Sequence, residues 1–93
     1  MERINRPSTP EEKVEHDLKA AADSVTVIEE SIQNLEDGAE ASKEIRGIIQ
    51  RNVQHLKLVI GRKHVVDSGA DVSSLQSAIE LGDAKLSEDI WAN

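Results

Sequence analysis

VEHDLKAAADSVTVIEESIQNL, residues 14–35, is the stretch whose reading decides the fold. Val14, Leu18, Ala21, Val25, Ile28, Ile32 and Leu35 follow one another at spacings of 4, 3, 4, 3, 4 and 3. That is an unbroken heptad seam of about three repeats on one long helix. The residues between are mostly Glu, Asp, Lys, Ser and Ala, so the apolar stripe is narrow. A helix of this kind cannot bury its seam alone, and the rest of the chain, or another chain, must cover it.

Just upstream, Thr9-Pro10-Glu11-Glu12 is a helix start: Thr9 caps, Pro10 suits the first position and Glu12 completes a capping box. The first helix is therefore expected over about 10–36. Residues 1–9 read as a flexible polar arm and 10–93 as a single helical domain. Downstream, Glu36-Asp37-Gly38 ends the helix, with Gly38 able to take a left-handed conformation. The gap is short, so a second helix over about 40–66, starting somewhere between 39 and 43, returns antiparallel. Gly69 and its polar neighbours mark another turn. A third helix, capped by Asp71 or Ser73 and boxed by Gln76, is expected over about 73–91. Its stripe is Val72, Leu75, Ile79, Gly82, Leu86 and Ile90, and Gly82 marks a point of weakness or a kink. The fold class is all-α: a long antiparallel hairpin plus a shorter third helix in a coiled-coil-like bundle.

At 100° per residue the second helix divides into faces. Ile45, Ile48, Ile49, Val53, Leu56, Val59, Ile60 and Val66 form a broad apolar arc, wide enough for two neighbours. The opposite face gathers Gly47, Gln54, Leu58, Gly61 and Val65, with Lys43, Arg46, Arg51, Lys57 and Arg62 along its borders. Small residues among Leu and Val allow a second helix to approach, and the basic rim suits an acidic one, such as the row Glu29, Glu30, Glu36 and Asp37 on another copy. The plainer alternative is a few scattered exposed apolar residues, which are ordinary on protein surfaces. Trp91, the only aromatic residue, is either a partner anchor or a cover folded back over the bundle end. The expected interface residues are Arg51, Lys57, Leu58, Gly61, Arg62, Val65 and Trp91.

Composition narrows the function. The net charge of −7 disfavours general affinity for nucleic acid or acidic membranes. The charge is segregated: residues 41–66 carry net +5 between flanks of −7 and −5. A basic stripe along the second helix keeps a nucleic-acid-binding regulator as the alternative reading, against acidic flanks and without an aromatic platform for stacking bases. There is no cysteine and neither a secretory-type leader nor an apolar run of membrane length, which gives a cytoplasmic expectation. His16, His55 and His64 show no helical metal-pair spacing, and no phosphate-cradling loop occurs. The carboxylates read as a solvated face rather than an acid–base pair, which needs a walled pocket. No enzyme, cofactor, metal, membrane or small-molecule substrate is expected. The partner is a protein, a second copy of the chain, or both; the module acts as a small adaptor, regulator, inhibitor or virion-associated structural protein.

Overall fold

The computed structural model describes residues 9–91; the expected N-terminal arm lies outside them except for Thr9. Four α-helices pack together: α1 (Pro10–Glu36), α2 (Lys43–Gly61), α3 (Lys63–Ser68) and α4 (Ser73–Leu86). The chain is a small all-α domain with principal extents of 53 × 28 × 20 Å.

The start of α1 follows its local chemistry. The Glu12 N–H donates to Thr9 Oγ1 at 3.1 Å, and the Thr9 N–H donates to Glu12 Oε1 at 2.9 Å. These two bonds satisfy amides that no turn of the helix can reach. The C-terminal turn leads to Gly38 at φ +106°. The α2 helix starts at Lys43, with the Ile45 N–H donating to Ser42 Oγ at 3.2 Å.

The core is aliphatic. Ala21, Ile28 and Ile32 of α1 meet Ile49, Val53, Leu56 and Val59 of α2, Val65 of α3, and Leu75 and Ala78 of α4. Each buried Val, Leu or Ile contributes roughly 1.5–3 kcal/mol, most of it offset by the entropy lost on ordering the chain.

Several expectations are corrected. The second helix does not run to residue 66: it stops at Gly61, Arg62 is extended at φ −69°, ψ 135°, and a separate six-residue helix follows. This break rotates what comes after it. Val65, assigned to the outer face, is 2% exposed, while Val66, assigned to the inner arc, is 61% exposed.

The last helix ends at Leu86 rather than near residue 91. Ser87 Oγ donates to the Asp83 and Ala84 carbonyl oxygens at 2.7 and 3.2 Å, and the chain then turns. Such side-chain bonds back to the preceding turn compete with further helix.

Gly82 is not a kink but a packing contact. The helix runs through it, and a Cβ there would stand 2.5 Å from Val53 Cγ2, with Ile49 and Ile28 close behind. The cap of α4 also differs, because the cap position is Val72. Asp71 Oδ1 instead accepts from the Ser73 N–H at 3.0 Å and from the Ser73 hydroxyl at 2.7 Å.

Candidate functional site

Two regions carry polar chemistry beyond ordinary surface. The first is the outward face of α2. Arg51, Gln54, Leu58 and Gly61 are all exposed, with Leu58 at 61%. Gly47 and Gly61 leave this face low: a Cβ at Gly61 would meet nothing within 4 Å, and one at Gly47 only the Arg51 guanidinium. Lys57 lies 3.3 Å from Asp83 of α4, with both side chains about half exposed, so this pair contributes at most about 1 kcal/mol.

The second region joins α1 to the α2–α3 junction. Asp17 is 9% exposed and takes a hydrogen bond on each carboxylate oxygen. Arg62 Nη1 donates to Oδ1 at 2.7 Å, and His64 Nε2 lies 2.5 Å from Oδ2 and donates to it. Desolvation raises the Asp17 pKa. The hydrogen bonds from His64 and Arg62, with the Arg62 and His64 charges, outweigh that and hold it below the usual carboxylate range. An open cavity of about 680 Å³ surrounds the pair, lined also by Glu12, Lys13, His16 and Lys19.

The structure therefore splits the expected interface set. Arg51, Lys57, Leu58 and Gly61 share the outward face of α2. Arg62 is turned onto Asp17, and Val65 is removed from the surface, because the break at Arg62 re-phases the chain. Trp91 stands apart from the α2 face, half-buried against the core, with Nε1–H donating to the Lys85 carbonyl oxygen at 3.2 Å. That bond lies at the end of α4.

Sequence reasoning missed the Asp17 cluster, although a signal was present. Asp17, Ser24 and Ser31 stand seven apart in one column beside the seam, and all three are buried at 7–9% exposure. Leu18 and Val25, on the other side, are only half-buried. The buried stripe of α1 is thus rotated toward small and short polar residues that admit a neighbouring helix closely.

Among the described residues no group of His, Asp or Glu side chains is arranged to hold a metal ion. No helix among them is long and apolar enough to cross a membrane. No family model, no curated protein and no solved structure matches this chain.

Proposed function

We propose that this chain is a non-catalytic helical interaction module that pairs with a second copy of itself through the outward face of α2. One observation carries the reading: Leu58, a large apolar side chain 61% exposed, sits beside Gly61 within a basic helix face. Complementary charge is available on the same chain, since Glu29, Glu30, Glu36 and Asp37 of α1 are exposed. The acidic helix of one copy laid against the basic rim of the other steers and orients the pair, while the apolar centre supplies affinity. Partner and geometry go together here: α1 and α2 are taken as an antiparallel, coiled-coil-like hairpin. The Asp17–Arg62 pair at one end and the meeting of Ile28, Ile49 and Val53 farther along support that arrangement.

The non-catalytic reading has its own support. Asp17, the carboxylate that faces both a guanidinium and an imidazole, is held ionised with both oxygens occupied. A general acid or base works best with a pKa near the working pH, and this group is moved away from it. The nucleic-acid alternative loses ground for a similar reason. Two cations of the basic stripe, Lys57 and Arg62, already face carboxylates of their own chain.

Sedimentation tests the reading. Mass should rise with concentration into the high micromolar range and the association should weaken with salt. Leu58→Glu places a carboxylate among the partner's carboxylates and should leave a monomer with unchanged helicity. A wild-type chain that stays monomeric throughout, or a Leu58→Glu variant that associates as before, ends this reading.

A further inference from the structure

The break between α2 and α3 is one residue wide, and the local sequence favours it only weakly, through the low helix propensity of Gly61. There is no proline there, arginine is among the better helix formers, and α3 begins without a side-chain cap. Gly61 is itself helical. Six residues are far too few for a helix to hold itself in water. The break is therefore imposed from elsewhere in the fold. Asp17 holds Arg62 and His64, from 45 and 47 residues away in sequence, and the core holds Val65 at 2% exposure.

We infer that residues 43–68 have a second, continuous helical form, and that the Asp17 clamp selects between the two. With the clamp closed, Val65 faces the core and Val66 faces solvent. With the clamp open, Arg62 joins the helix and the following turn rotates. Val65 then falls on the line of Leu58 and Gly61, seven and four residues before it, while Val66 falls below Val59, seven residues before it. The two valines exchange roles, so the apolar face that packs on α1 keeps a valine in either form. The Lys63 and His64 amides, which no side chain caps in the broken form, gain acceptors in the preceding turn.

This inference rests on the α2-face reading and adds its regulation. In the broken form the outward apolar line ends at Gly61. The continuous form lengthens that line by one valine and returns the Arg62 charge to its rim. It is this form that the acidic α1 of a second copy binds. Pairing and the Asp17 clamp therefore compete, and the partner shifts the equilibrium only by its preference for the longer face.

Two variants release the clamp in different ways: Asp17→Asn removes the charge that Arg62 and His64 face, and Arg62→Ala removes the clamped residue and raises helix propensity at the hinge. Backbone carbon shifts at position 62 and exchange of the Lys63 and His64 amides, read by NMR at dilute concentration, report the form. Sedimentation reports pairing, and circular dichroism confirms that each variant is folded. Both variants should move position 62 to helical shifts, slow exchange of the two amides, and tighten self-association by about tenfold, a usual size for such coupling. Position 62 remaining extended in both folded variants overturns the inference, as does a continuous helix whose self-association is no tighter than wild type. Adding Leu58→Glu to Asp17→Asn separates the two readings. A continuous helix with association lost supports both, whereas a continuous helix that associates undiminished overturns the α2-face reading and leaves the second form standing.

Discussion

The α1–α2 turn and the α2–α3 break differ in what holds them. Between α1 and α2 the hydrogen bonds that shape the turn are local. The Ala39 N–H donates to the Asn34 carbonyl oxygen at 2.9 Å, Gln33 Nε2 donates to Asp37 Oδ1 at 3.1 Å, and Ser42 caps the next helix. Gly38 supplies the positive φ that such a reversal needs. Between α2 and α3 the determinants are remote: a carboxylate on α1 and a slot in the core. A turn of the first kind exists wherever its residues are placed. A break of the second kind exists only while the rest of the fold is in place, so it can be coupled to events elsewhere.

The strongest test of that contrast lies in two adjacent residues. Val65→Ala removes methyl groups from a side chain that is 2% exposed, and should cost about 2 kcal/mol in chemical denaturation. Val66→Ala, at 61% exposure, should stay within about 0.5 kcal/mol of wild type. The reverse order, a larger loss at Val66 than at Val65, would mean that the helix is continuous in solution and that the break has no standing population.

A smaller effect comes from acid. The folded Asp17 pKa lies below its ordinary value of 3.8. Its stabilising contribution is thus fully present above the unfolded pKa and is lost as pH falls through the folded one. Arg62 and His64 face it directly, and Glu12, Lys13, Glu15, His16 and Lys19 line the same cavity. Glu12 and Asp71 are lowered too, by their bonds to Thr9 and Ser73, so the wild-type chain alone does not isolate the effect. Denaturation midpoints compared between pH 5 and pH 2, rough bounds set by that linkage, should fall more for wild type than for Asp17→Asn. The difference should be modest, because the Arg62 side chain is 42% exposed. Parallel curves for the two proteins would remove Asp17 as the keeper of the break.

The same contrast explains how far the sequence could be read. The bounds of helix α1 were legible in the sequence, because its cap and its terminal glycine are close in the chain to the ends they set. The all-α class and the inward faces of Ile49, Val53, Leu56 and Val59 followed from periodicity. The exchange of Val65 and Val66 was not legible, since the 3.6-residue period was continued across Arg62 and nothing within four residues of it forbids helix. Gly82 was misread because propensity records what glycine costs and not what Val53 requires of it. Within the candidate site, Arg51, Lys57, Leu58 and Gly61 were legible as one face. Asp17 was not, because a charged residue beside a seam looks solvated until its partners are known.

The glycines carry the contrast to its smallest scale. Gly38→Ala forces a side chain into φ +106° and should cost about 1 kcal/mol, as expected of a reversal written in its own residues. Gly47→Ala meets only the end of the flexible Arg51 side chain, 3.2 Å away, and should instead stabilise the monomer by up to about 1 kcal/mol through helix propensity. If Gly47 keeps the outward face low for a partner helix, the same methyl group should weaken self-association while it raises the melting temperature. Stability and pairing would then move in opposite directions from one substitution. A Gly47→Ala variant that is more stable and pairs at least as tightly would show that this part of the face lies outside the contact, and would confine the interface to the Leu58–Gly61 end of α2.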